Sequence, residues 1–158
     1  MSTGNLPHVF VLPEDDANRQ LANGFHLQVD RTRRMQVLSV AGGWRKVLDR
    51  FKADHVREMD NPNQVVVLLI DFDAQANRLE EARAEIPNHL IDRVFVLGVW
   101  TEPEILRADL GRSYEQIGRE MAEDCRVGRD MIWGHELLRH NASELARLRQ
   151  HVRPILFP

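Results

Sequence analysis

Apolar residues fall along this chain in two alternating periods. His8-Val9-Phe10-Val11-Leu12 is a short apolar run ended by Pro13, and the next segment, Asp15 to Gln28, sets Leu21, Phe25 and Leu27 at near-helical spacing behind acids suited to a helix N-terminus. That reads as strand then helix. The pattern returns with a strand at Met35 to Val40, closed by Gly42-Gly43, and a helix with Trp44, Val47, Leu48, Phe51 and His55 on one face. Pro62 and Asn63 break the chain before Val65-Val66-Val67-Leu68-Leu69-Ile70, whose unbroken β-branched and aliphatic character suits a central parallel strand buried on both faces. A third helix is predicted over Ala74 to Glu85 and a fourth strand over Arg93 to Val99.

After Trp100 the pattern is helical. The predicted helices are Glu102 to Leu110, Ser113 to Cys125 with Tyr114, Ile117 and Met121 inward, and Asn141 to His151. Asn141 and Glu144 have capping-box spacing ahead of the stripe Leu145 and Leu148. Val152 to Phe157 is predicted as a short edge strand, because Pro154 fits a sheet only where no ladder donor is needed. Strands alternating with crossover helices imply an α/β fold: a single domain with a four-stranded, mainly parallel sheet and helices on both faces. Residues 7–106 form its core, and 107–158 a helical C-terminal extension packed on the same domain.

Composition narrows the class. A chain of 158 residues is the size of one domain, and 43% hydrophobic with 28% charged residues is an ordinary globular balance. The longest strictly apolar run is the six residues Val65 to Ile70, against about 20 for a bilayer span, and no leader pattern opens the sequence. A cytoplasmic protein without a membrane partner is expected. Cys125 is the one cysteine, so neither an intrachain disulfide nor a cysteine-zinc site is available, and a small packed residue is the expected role. His135 and His140 are five apart, which is not a same-face helical spacing for a shared zinc; a structural turn is expected there, with Trp133 packed and Asn141 capping. Neither a P-loop nor a Gly-x-Ser-x-Gly elbow is present.

A net charge of −3 argues against binding nucleic acid by bulk positive charge. The local balance differs: from Arg31 to Arg57 there are eight basic residues against two acids, and 19 of the 21 basic residues are arginine, whose planar fork pairs with phosphate in two hydrogen bonds. Arg33, Arg34, Arg45 and Lys46 are the candidate phosphate contacts. Acids gather elsewhere, at the predicted C-terminal ends of the strands, where open parallel sheets place their ligands. Strand one runs into Glu14, Asp15 and Asp16, strand three into Asp71-Phe72-Asp73, and strand four into Thr101 and Glu102. Residues i and i+2 of a strand share a face, so Asp71 and Asp73 are expected to project together, about 6 to 7 Å apart. Carboxylates so placed repel unless a cation lies between them, and Mg2+ or Mn2+ suits oxygen ligands of this kind. An aspartate after a strand also serves as a helix N-cap, a role open to Asp15, Asp16 and Asp73.

Val9-Phe10-Val11-Leu12-Pro13-Glu14, two strand-helix units, and Val67-Leu68-Leu69-Ile70-Asp71-Phe72-Asp73 resemble the Toprim domain of topoisomerases, primases and overcoming-lysogenization-defect type nucleases. The resemblance covers about Pro7 to Leu106. It implies a Toprim or Rossmann-like core, Glu14 as general acid or base, and Asp71 and Asp73 as holders of Mg2+ or Mn2+ for phosphodiester cleavage. Glu102 resembles the further acid after strand four in some small members, which helps to hold a second ion. Where many members have Gly after the glutamate, this chain has Asp15. The implied partners are nucleic acid, DNA ahead of RNA, and an ABC-type ATPase in a phage-defence setting; a second copy of the chain is also admitted. The same acids are similar to the pocket of two-component receiver domains, with Asp71 as phospho-acceptor and Asp15 and Asp16 holding magnesium. A receiver needs a lysine at the end of a fifth strand, and the lysines here, Lys46 and Lys52, lie in the second helix region. The alternative function is therefore a non-catalytic regulatory or interaction module, a degenerate receiver-like domain or the partner subunit of an ATPase.

Overall fold

The unbroken apolar run predicted as the central strand is β3, Gln64–Leu69, and its alternate residues point into two different cores. Val65 and Val67 face one, while Val66, Leu68 and then Ile70 face the other. Burial of each such side chain is worth about 1.5 to 3 kcal/mol, which is why the run tolerates no polar residue. The computed structural model describes residues 6–158, and around β3 it builds an all-parallel sheet from β1 (His8–Pro13), β2 (Met35–Val37) and β4 (Val94–Leu97) in the order β2-β1-β3-β4. The register pairs Pro13 with Leu69 and Leu69 with Leu97, so three strands end at one level.

Helices cover both faces. The first core packs α1 (Asp16–Gln28), α4 (Pro103–Leu110), α5 (Tyr114–Val127) and α6 (Ala142–Leu156) on one side, and the second packs α2 (Trp44–Arg50) and α3 (Arg78–Ala84) on the other. Cys125 is buried in the first core, as its packing role requires, and Trp133 packs there too. Helices α1 and α5 meet backbone to backbone: a Cβ on Gly24 would overlap the Glu115 carbonyl, and one on Gly118 the Leu21 carbonyl. An apolar void of about 60 Å3 lies between the sheet and α1, α5 and α6. It is well below the ~150 Å3 that holds a benzene ring, so this void is a packing defect and no ligand chamber.

Helix α5 begins with a capping box in which Ser113 accepts from the Gln116 N–H and the Gln116 side chain accepts from the Ser113 N–H. Ser113→Ala is expected to lower stability by about 1 kcal/mol, a few degrees in a melting curve. An unchanged curve would show that other contacts hold the start of α5.

Several element boundaries differ from the sequence reading. Strand β2 stops at Val37 instead of Val40, because the Ser39 and Val40 carbonyls accept from Arg50. The helix after it passes into a π-helical turn over Phe51–His55. Helix α3 starts at Arg78, not Ala74, because Asp73 and Ala74 take left-handed φ values of 48° and 55° that no helix continues. Strand β4 is shorter than predicted, Arg93 belonging to the 3-10 turn before it.

The largest correction lies at the C-terminus. Val152 to Phe157 forms no edge strand; α6 runs through it to Leu156, with Leu145, Leu148, Val152 and Leu156 on one buried stripe and Pro154 on the exposed side. Asn141 and Glu144 form no capping box either. Asn141 Oδ1 accepts from Gly98 N–H and its Nδ2 donates to the Gly98 carbonyl, at 3.1 and 3.0 Å. Glu144 Oε1 accepts from Val96 N–H at 3.3 Å, and Arg147 donates to the Val94 and Ile91 carbonyls. Three side chains spaced three apart, Asn141, Glu144 and Arg147, thus meet the backbone of Gly98, Val96 and Val94, spaced two apart, and stand where a fifth strand would pair.

Candidate metal centre

The site forms because, past the common end of the strands, the chain leaving β1 turns away while the chain leaving β3 runs on beside the one leaving β4. Glu14 N–H still reaches the Leu69 carbonyl at 2.9 Å, but the chain then turns into α1, leaving the Asp71 N–H without a strand partner. The Glu14 side chain takes it, Oε1 accepting at 3.1 Å. Beyond this point β3 follows β4, with Phe72 N–H on the Val99 carbonyl, and Phe72 is buried against Trp100 and His140. Asp71 is thereby turned the opposite way, toward β1.

Asp15 caps α1 through Oδ1, which accepts from both the backbone N–H and Nδ2 of Asn18. The same Nδ2 donates to Asp71 Oδ1 at 2.7 Å, so one fully buried asparagine ties the cap to the end of β3. Glu14, Asp15 and Asp71 each offer an oxygen within 4.8 Å of the others. Each carboxylate uses one oxygen to accept an orienting N–H, which leaves the second for a shared occupant. Burial, with the Glu14, Asp15 and Asp73 charges added, pushes the Asp71 carboxyl up to about 8. Burial raises Glu14 as well, with the Asp15 and Asp73 charges adding to it, so the fold gathers carboxylates whose charge a cation would balance. Three hard oxygen donors suit Mg2+ or Mn2+.

The structure sorts the predicted residues. Glu14 and Asp71 meet as expected, and Asp15 joins them while also serving as the N-cap. Asp73 does not project beside Asp71: its left-handed backbone turns the carboxylate to Arg78 at 2.6 Å, and it borders the centre as a charge. It is no N-cap, since Asn77 precedes α3. Glu102 stands exposed ahead of α4, outside the group of three. Asp16 is exposed too, and pairs with Arg19 and Gln20.

The basic candidates divide in two. Arg33 and Arg34 precede β2, level with the start of β1, so the six-residue strand separates them from Glu14 by about 20 Å. Arg45 and Lys46 follow β2 on the acidic side, where Gly42 N–H donates to the Glu14 carbonyl at 2.8 Å. Arg45 pairs with Glu85 at 2.9 Å, whereas Lys46 is exposed and has no ion pair among the described residues.

Sequence reasoning missed Asn18 and Arg78. The signal for Asn18 was present, an asparagine on the same helical face as Leu21, Ala22 and Phe25. His135 pairs with Asp109, while His140 lies between Phe72 and Trp100, and burial lowers it to about 4. Among the described residues no helix is long and apolar enough to cross a membrane. Comparison with protein-family models, curated proteins and solved structures finds no match for this chain.

Proposed function

We propose that this protein is a Mg2+- or Mn2+-dependent enzyme that cleaves or nicks nucleic-acid phosphodiesters, with DNA ahead of RNA as substrate and a Toprim-like core. The observation that carries the reading is the meeting of Glu14, Asp15 and Asp71 at the C-terminal edge of a parallel sheet, each held by a hydrogen bond from the fold. Asp15 and Asp71 would hold the cation, with the Asp73 charge bordering them. A bound divalent ion supplies polarisation of a phosphoryl oxygen and a lower pKa for an attacking water. Glu14, raised by burial, is the group placed to give or take a proton. A net charge of −3, with Arg33 and Arg34 at the far end of β2, supports an ATPase partner that helps to hold the DNA.

Supercoiled plasmid incubated with the protein and Mn2+ tests this. Nicking is expected, with loss of about a hundredfold or more in Glu14→Gln, the scale of general acid-base catalysis. Mn2+ binding without nicking, alone or with an ATPase partner, would instead favour the regulatory module.

A further inference from the structure

Arg78 is built differently from Arg93 and Arg147, although Arg126 and Arg149 share its buried Nε without a hydrogen-bond partner. Arg93 donates to the Met59, Asn61 and Gln64 carbonyls, and Arg147 to Glu144 and two carbonyls, each through at least two of its nitrogens. Arg78 engages Nη1 alone, which donates to the Asp71 carbonyl at 2.9 Å and to Asp73 Oδ2 at 2.6 Å. Its Nε is buried with no partner, and Nη2 makes no hydrogen bond among the described residues. Yet the side chain is only 12% exposed, and its guanidinium lies over the Trp44 ring at 4.4 Å. Stacking fixes the plane of the fork and leaves Nη2 without a partner, while Nη1, held by the half-exposed Asp73, is the nitrogen a phosphate reaches by replacing that carboxylate.

Its neighbours point to an anionic ligand. Lys46, with no ion pair among the described residues, passes beside Gly42 on the loop bonded to Glu14. Arg45 lies over the same indole at 5.0 Å. The acid held by Arg78, Asp73, is half-exposed and stands on two consecutive non-glycine residues with left-handed φ, a strained turn of the kind that accompanies ligand sites.

We propose that Arg78, positioned by Trp44, is the anchor for a substrate phosphate next to the acidic centre, and that Asp73 is the resident anion which the phosphate displaces. This rests on the phosphodiester reading above and assigns its substrate contact. Lys46 supplies a second, looser cation on the same rim.

The test uses the full chain and a short fluorescein-labelled single-stranded DNA, read by anisotropy with Ca2+ present, alongside calorimetric Mn2+ titrations of the same proteins. Arg78→Gln is expected to weaken DNA binding about tenfold or more while Mn2+ still binds. Arg78→Lys, which keeps the charge and loses the fork, falls between. Asp73→Asn removes the competing anion and is expected to tighten DNA binding several-fold, a gain that misfolding does not produce. Unchanged DNA affinity in Arg78→Gln, or unchanged or weaker affinity in Asp73→Asn, with Mn2+ binding intact, overturns the anchor and leaves the metal centre standing. Absence of Mn2+ binding in the wild type overturns the metal-dependent reading and this assignment with it.

Discussion

Asp71→Asn is expected to abolish Mn2+ binding and, in the same protein, to raise the metal-free melting temperature at pH 8 by several degrees. The two effects have one cause. In the folded chain burial and three neighbouring acids hold the Asp71 carboxyl at about 8, whereas in the unfolded chain it titrates near 4. Between those values the folded protein keeps a proton that the unfolded chain has released, so stability declines as the pH rises from about 4 to 8. Asparagine keeps the shape, accepts the same hydrogen bond from Asn18 and carries no charge, which removes the penalty. The advantage of the variant should therefore shrink as the pH is lowered towards 4.

A cation reverses the sign for the wild type. Mn2+ at about a hundred times its dissociation constant adds about 2.7 kcal/mol, or roughly 5 to 10 °C in a domain of this size. Because Mn2+ must displace the proton that the raised Asp71 carboxyl holds, that gain should be larger at pH 8 than at pH 5.5, and binding near neutrality should release protons to the buffer. Differential scanning measurements on both proteins, with and without Mn2+, read all of this in one set. An Asp71→Asn variant that melts lower than wild type at pH 8, or still gains stability from Mn2+, would remove Asp71 from the centre.

Strands β3 and β4 were legible because they are buried on both faces: they contain only apolar residues after Gln64, in runs too short for a buried helix. Glu14 and Asp71 were legible for a related reason, as the first acids after such runs. What failed depends on contacts distant in sequence. Asn141 and Glu144 carry the spacing of a helix cap, but the edge of β4, more than 40 residues away, takes their side chains. Asp73 obeys the alternation rule only while the strand continues, and its turn is fixed by hydrogen bonds to the Trp100 and Thr101 carbonyls. The run of basic residues from Arg31 to Arg57 reads as one patch because sequence order ignores that β2 lies within it and carries the chain from one end of the sheet to the other. Arg78 was invisible for want of any pattern: its significance comes from Trp44 and from the turn before it.

The edge of β4 carries the second large effect. Glu144 is 1% exposed, pairs with Arg83 and Arg147, and accepts the Val96 N–H. Glu144→Ala leaves that N–H without a partner and Arg147 without its carboxylate, and losing one member of a buried charged group costs about 3 to 5 kcal/mol. That is a large fraction of the 5 to 15 kcal/mol typical of a whole domain, and corresponds to a fall of about 10 °C. Glu144→Gln keeps an acceptor for Val96 and should fall less. A second consequence follows from where the loss occurs: an open parallel edge presents unpaired groups that pair with other chains, so Glu144→Ala should also scatter light in a concentration-dependent way before it unfolds. A melting temperature lowered by no more than a surface ion pair would allow, under about 1 kcal/mol, would show that α6 covers the sheet by apolar packing alone. If both effects appear, the polar face of α6 is what ends the sheet at four strands, and the position a receiver gives to its fifth strand and lysine is structurally closed in this chain.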